Sequence, residues 1–333
     1  MSEAPVHPRD AFALEGAEKQ EHAFLEAIER GRLHHAWLLT GPEGVGKATF
    51  AFRAARRLLG AKPDPANGVL GASGSDPVVR QVAARSHPDI MVLERLGEDG
   101  KVRKVIPVDE ARKMAEFFSQ TPAISPYRIA IVDAADDLNV NAANAILKTL
   151  EEPPPRGVIF LVSHAPGRLL PTIRSRCRRL AFTAPGEALT TDFLTARTDL
   201  TQHQAERLAK MAGGAPGLAI RLAAADALGA DDAAHAILQN LPRLDEAALL
   251  AMADGFRGGE GQARFDLLFD RLAAQIHDMA VGQAMSGVGE GLDRWVLAWE
   301  RLCVLPRQAE GLNLDRADAF WTALRELRAA AAA

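Results

Sequence analysis

Seven residues, Gly41-Pro42-Glu43-Gly44-Val45-Gly46-Lys47, have the types and spacing of a phosphate-binding loop. Three glycines let backbone N–H groups turn toward one point, a following helix N-terminus adds partial positive charge, and the lysine ammonium reaches the outer phosphates of a nucleotide. The apolar run Trp37-Leu38-Leu39 precedes the loop and a helical pattern follows from Lys47, the strand-to-helix setting such a loop requires. A glycine-rich turn that binds nothing accounts less well for strand, spacing and lysine together, yet it stays open as the loop's present state. The next position, where a Ser or Thr hydroxyl would hold Mg²⁺, is Ala48. Thr49 comes one residue late, and one residue along a helix turns a side chain by about 100°. Gly41, Gly44, Gly46 and Lys47 are therefore candidate nucleotide-binding residues, with ATP or ADP as the candidate ligand, in a loop that lacks its metal-holding hydroxyl.

A second acidic motif is altered in the same sense. Arg128-Ile129-Ala130-Ile131-Val132-Asp133 is an apolar strand ending in aspartate, the pattern of a Walker B carboxylate that holds the metal. A strand-end turn residue is an equally good account of Asp133. A working site of this kind carries a glutamate next, to polarise the attacking water; here Ala134 and Ala135 follow, and Asp136 comes too late. Asp136 is expected to be a helix cap or a surface residue.

Positioning these residues takes a sheet. Ala36–Thr40, Asp89–Glu94, Arg128–Asp133, Val158–Ser163 and Arg178–Phe182 are apolar runs of strand length, with helical periodicity at Lys47–Leu59, Asp109–Ser119 and Asn139–Glu151 between them. That alternation predicts an α/β fold with a mainly parallel five-stranded sheet and helices on both faces. Asp109 and Asn139 are the expected N-caps, Pro153–Pro155 a hard stop, and Gly60–Pro77 a loop. After Ala184-Pro185-Gly186 the β-runs cease and Ala, Leu and charged residues recur at helical spacing, broken at Gly213-Gly214-Ala215-Pro216-Gly217 and near Gly229. The expected domains are a P-loop domain over 1–183, a small helical domain over 184–230 and a second helical domain over 231–333.

The 333 residues are 48% apolar and 25% charged with a net charge of −4, so a core can form and no global basic field points to nucleic acid. No run is long enough to span a bilayer and Met1–Asp10 contains no apolar signal core, which makes the cytoplasm the expected compartment. Cys177 and Cys303 are too few for a disulfide framework or a thiolate metal site. The adjacent pair His34-His35 is a poor metal site.

Four segments together resemble the clamp-loader branch of the AAA+ proteins, and within it the delta-prime subunits of bacterial DNA polymerase III. They are Gly31–Ala36, Asn141–Pro154 with its Leu147-Lys148-Thr149-Leu150-Glu151-Glu152-Pro153-Pro154 ending, Leu169–Cys177 with Ser175-Arg176-Cys177, and Gly213–Gly217. The match runs from about residue 12 to 225. The resemblance implies an AAA+ P-loop domain, an α-helical lid and an α-helical collar that holds subunits in a ring. It implies as partners the tau/gamma-type motor subunits, a delta subunit, the sliding clamp and, through the assembled complex, primed DNA, all within a nucleoid-associated replisome and a DNA-directed DNA polymerase holoenzyme. It further implies that Arg176 is an arginine finger for the neighbour's ATP, and that Asn141–Lys148 lies near a subunit interface or the DNA chamber.

Two departures qualify the resemblance. A four-cysteine zinc module common in these subunits would fall within about 60–86, where no cysteine occurs, so no zinc is expected. In hydrolysing relatives the lid helix begins Gly-Ser-x-Arg, with the arginine on the γ-phosphate; the matching stretch here is Gly214-Ala215-Pro216-Gly217, and Arg221, one turn on, is open as a substitute, with surface solvation the better account of it. Losses at Ala48, Ala134 and Gly217 together lead to the expectation of a subunit without ATPase activity of its own. An active AAA+ ATPase, either a clamp-loader motor or a helicase-type motor, is the alternative; a P-loop kinase would leave the two long middle segments without purpose.

Overall fold

The computed structural model describes residues 6–96, 102–259, 261–287 and 291–332. The chain divides into two compact units, Met1–Ile220 and Arg221–Ala333.

In the first unit, α1 (Glu18–Glu29) leads to β1 (Ala36–Thr40), and the glycine loop carries β1 into α2 (Lys47–Leu58). After a turn at Pro65–Asn67 come α3 (Pro77–Ala83), β2 (Ile90–Glu94), α4 (Val108–Ser119), β3 (Arg128–Asp133), α5 (Val140–Glu151), β4 (Gly157–Ser163), α6 (Pro171–Arg176) and β5 (Arg178–Ala181). The helices α7 (Glu187–Arg197) and α8 (Gln202–Met211) follow, and α9 (Pro216–Ala224) crosses the division between the units. The five strands form one sheet in the order β2-β3-β4-β1-β5, and every pairing is parallel.

A parallel sheet is covered on both faces, so its central strands are apolar throughout. All residues of β1 and β4 are buried. Their side chains alternate between two cores. Trp37, Leu39, Ile129, Ile131, Phe160 and Val162 meet α1 and α2 through Phe24, Phe50 and Ala54. On the other face Leu38, Ala130, Val132, Ile159 and Leu161 meet α4, α5 and α6 through Met114, Ile146, Leu150 and Ile173. Phe24 ties the first core together, edge-on to Trp37 at 5.0 Å and to Phe50 at 5.7 Å between ring centroids.

The strand expectations hold to within a residue or two, and one local reading changes. Asn139 caps α5 as expected, its side chain accepting from Ala142 N at 2.9 Å. Asp109 does not cap α4. That helix starts a residue earlier, after Pro107, whose fixed φ suits a helix entry, and Asp109 lies in the first turn, ion-paired with Arg112 at 3.1 Å. The segment Gly60–Pro77 is irregular as expected and hands over to α3, which Asp76 caps by accepting from Val78 N, with Pro77 at the first helical position.

α2 also buries charge, which its sequence pattern does not suggest. Arg53 and Arg56 are 1% and 2% exposed. Arg53 pairs with the buried Glu21 of α1 at 2.6 Å and donates to the carbonyls of Phe12 and Asn67, while Arg56 donates to the carbonyls of Arg9 and Ala11. The segment from Arg9 to Phe12 is thereby strapped along the helix that follows the glycine loop.

The second unit is helical: α10 (Ala227–Gln239), α11 (Glu246–Asp254), α12 (Gly261–Met285), α13 (Leu292–Gly311) and α14 (Arg316–Ala332). They close around Phe256, Phe265, Phe269, Leu272, Leu302 and Phe320, with Trp295, Trp299 and Trp321 half-buried against that core.

Because a buried charge left alone is costly, Glu21→Ala should lower the unfolding free energy of the first unit by about 3–5 kcal/mol. Exchanging both partners, Glu21→Leu with Arg53→Met, should cost less than either single change. Chemical denaturation followed by Trp37 fluorescence and circular dichroism measures both.

Candidate functional site: the glycine loop and the helix against it

The loop lies at the C-terminal end of β1, the end of a parallel sheet where α/β proteins place ligands. Gly41, Gly44 and Gly46 all have positive φ, at 145°, 77° and 89°, and Gly46 is the left-handed residue from which α2 departs. Lys47 is buried, its Nζ donating to the carbonyl of Gly41 at 2.7 Å and to that of Pro42. The glycines thus turn the chain from β1 into α2, with the lysine folded onto the loop.

What faces the loop is protein. Gly217, in the first turn of α9, donates its N–H to the carbonyl of Gly44 at 2.8 Å. A Cβ on Gly44 would lie 2.2 Å from the nitrogen of Leu218, and one on Gly217 would lie 2.9 Å from the Gly44 oxygen. From the other side, a Cβ on Gly46 would lie 2.3 Å from Cδ1 of Leu14, at the end of the strap that Arg53 and Arg56 hold. The glycines thus allow backbone and leucine side chains to approach the loop closely.

The acidic residues are used in unexpected ways. Asp133 ends β3 in register with Glu94 of β2. Burial, then the neighbouring Glu94 carboxylate, pushes Asp133 up to about 6, against the opposing pull of His7 and Lys47. Glu94 is itself engaged by Arg9 at 2.8 Å, Arg85 at 3.1 Å and His7 at 3.3 Å. Asp136 is neither a helix cap nor a surface residue, correcting the sequence reading. Its carboxylate accepts from Ser163 Oγ at 2.9 Å, His164 N at 2.5 Å and Ala165 N at 3.2 Å, so it fastens the turn after β4. The same bond occupies the hydroxyl of the fully buried Ser163. His164 has its pKa lowered, by burial first and then by the Lys47 charge. Ala48 and Ala134 supply no oxygen where a metal-holding hydroxyl and a catalytic carboxylate would stand.

Arg176 is placed apart from these groups. At the C-terminal end of α6 it donates from Nη1 to the carbonyl of Thr172 at 3.0 Å and pairs through Nη2 with Glu151 at 2.8 Å. Of the alanines expected near an interface, Ala142 and Ala143 pack inside the second core. His34 and His35 stack at 4.4 Å, and the His35 ring reaches the carbonyl of Leu150 at 3.2 Å. Among the described residues no cluster of His, Cys, Asp and Glu is arranged to hold a metal, and no helix is long and apolar enough to cross a membrane. Arg9, Leu14, Arg53 and Arg56 escaped the sequence reading. Their one visible trace is a pair of arginines three apart within the otherwise apolar face of α2.

The strand order, the loop after β1 and the acidic end of β3 define an AAA+ P-loop fold. Residues 16–186 match the family described as DNA polymerase III, delta subunit, and the chain belongs to that family. Among its relatives, the DNA polymerase III subunit delta' of Pseudomonas aeruginosa is 40% identical over 194 residues, 58% of this chain and 57% of that protein. The Escherichia coli subunit delta' is 31% identical over 226 residues, 68% of this chain and 65% of that protein. The matches thus take in less than two thirds of these relatives' own length. A DNA polymerase III gamma subunit-related protein from Thermotoga maritima aligns structurally at 19% identity and a TM-score of 0.44, over 92% of this chain and 98% of the other.

A carboxyl that folding pushes up to about 6 is neutral in the folded chain at acid pH, and its ionisation above that value costs stability. Asp133→Asn, which mimics the neutral acid, should therefore stabilise the protein by about 1–3 kcal/mol at pH 8. The gain should shrink as pH falls through 6 and vanish below about pH 4, which unfolding midpoints measured across pH will read.

Proposed function

We infer that this chain is a delta-prime-type clamp-loader subunit that does not hydrolyse ATP and acts on the ATP of a neighbouring motor subunit. In this reading 184–230 serves as the lid, 231–333 as the collar, and the partners are tau/gamma-type motors, a delta subunit, the sliding clamp and primed DNA. One observation carries the reading. The phosphate cradle is seated on its own lid by the Gly217–Gly44 backbone bond, with Leu218 and Leu14 against the glycines. The residues present do not fit a Mg²⁺-bound nucleotide: no hydroxyl follows Lys47, no carboxylate follows Asp133, and an arginine at 217 would have to displace the lid contact. The loop then works as a structural seat that fixes the lid against the sheet.

With its own site inactive, the chain contributes Arg176. A guanidinium delivered to a neighbour's triphosphate neutralises charge that builds on the γ-phosphate oxygens in the transition state, an effect worth on the order of 10³–10⁵ in rate at a single site. Lysine keeps the charge and loses the planar fork, so it is a poor replacement.

The purified chain should show no ATP turnover above background at saturating ATP and Mg²⁺, and Ala48→Ser alone should not restore it. Robust turnover by the isolated chain would instead establish an active AAA+ ATPase. In a reconstituted complex with motor and delta subunits, Arg176→Ala should leave assembly intact and reduce DNA-stimulated ATP hydrolysis and clamp loading. Undiminished clamp loading by that intact complex would rule out Arg176 as the finger.

A further inference from the structure

The ion pair between Glu151 and Arg176 joins the two long sequence segments singled out above, one ending α5 and the other ending α6. Both helix ends stand on the same core. Leu150, beside Glu151, is 2% exposed, and Ile173, one turn before Arg176, is fully buried against Ile146 and Leu150. Cys177, the next residue, packs on that core too, and burial pushes its thiol up to about 12. The backbone under both charges is therefore fixed, while the charges themselves are part-exposed, at 36% for Arg176 and 48% for Glu151.

Two features set this pair apart from an ordinary surface ion pair. Glu151 occupies the last turn of α5, where carbonyls point outward and the helix dipole disfavours a carboxylate. A carboxylate there needs a cation across from it, and Arg176 supplies one. The second feature is the donor count. A guanidinium has five N–H groups; Thr172 O and Glu151 take one each, from Nη1 and Nη2, which leaves both terminal nitrogens and Nε with an N–H for another acceptor. The side chain is held from two sides without being used up.

We propose that Glu151 is a positioning residue for Arg176: its carboxylate and the Thr172 carbonyl hold the guanidinium in one orientation, so that the remaining N–H groups meet the triphosphate of an adjacent subunit already aligned. A long, many-rotamer side chain that is pre-aligned loses less freedom when it engages a phosphate fork. This inference rests on the reading of Arg176 as a finger in trans, and it assigns to the Leu-Glu-Glu-Pro-Pro segment the task of aiming that finger.

The experiment is a double-mutant cycle in the reconstituted complex with motor and delta subunits, reading kcat and KM for ATP in the presence of primed DNA. Glu151→Ala should lower kcat by about tenfold at unchanged KM, as expected when an interaction that matters only in the transition state is lost. Glu151→Gln, which keeps an acceptor oxygen, should retain most of the rate. In the Arg176→Ala background, Glu151→Ala should change nothing further, because the group it aims is gone. Equal losses in both backgrounds would assign Glu151 a merely structural role and overturn the proposal. So would an unchanged or raised kcat for Glu151→Ala, the latter revealing a restraint on the arginine. If Arg176→Ala itself leaves kcat unchanged, the finger reading fails first, a result distinguishable from failure of the aiming role alone.

Discussion

The hydrogen bond from Gly217 N–H to Gly44 O organises the site end of the first unit. It forms only because neither residue has a side chain at the contact: a Cβ on Gly44 would collide with Leu218, and one on Gly217 with the Gly44 carbonyl. A phosphate loop turns its N–H groups inward to meet an anion. Here the start of α9 donates to one of the loop's carbonyls, so helix and loop are joined through backbone. The features that adapt such a loop to phosphate, small residues and an exposed backbone, suit it equally to seat a helix.

The contact is backed from below. Arg53 and Arg56 use buried guanidiniums to hold the carbonyls of Arg9, Ala11 and Phe12, and that strap delivers Leu14 to Gly46. The like charge of Arg53 and, above all, burial bring Arg56 down to about 10, still a full cation at neutral pH. Two cations side by side are tolerated because Glu21 and a set of carbonyl dipoles neutralise them, at the usual expense of burying charge. Asp136, with three donors on its carboxylate, plays the matching part at the end of β4. The buried or part-buried charges Glu21, Arg53, Arg56 and Asp136 thus hold loops in place, while the Glu151–Arg176 pair at the ends of α5 and α6 is part-exposed.

The sheet places the ends of α5 and α6, since Ile146, Leu150 and Ile173 belong to the core that also contains Leu38 and Leu161 of the central strands. Ala48 and Ala134 bring methyl groups to the start of α2 and the end of β3, and both pack: Ala134 is buried and Ala48 lies beside the first core.

The sequence by itself determined the strands, the glycine loop and the families of motif around it, because each is encoded locally: apolar runs of strand length, turn residues, and a cap such as Asn139 acting on its own helix. The absent oxygens at Ala48 and Ala134 were equally legible, since a side chain's chemistry needs no fold to be known. Tertiary structure alone decided that Gly217 lies on Gly44, that Leu14 reaches Gly46, that Asp136 serves the turn after β4, and that Glu151 meets Arg176. In each case the partners lie from 25 to 173 residues apart in the chain, and what joins them is a close approach or a charge pairing for which spacing along the sequence carries no record.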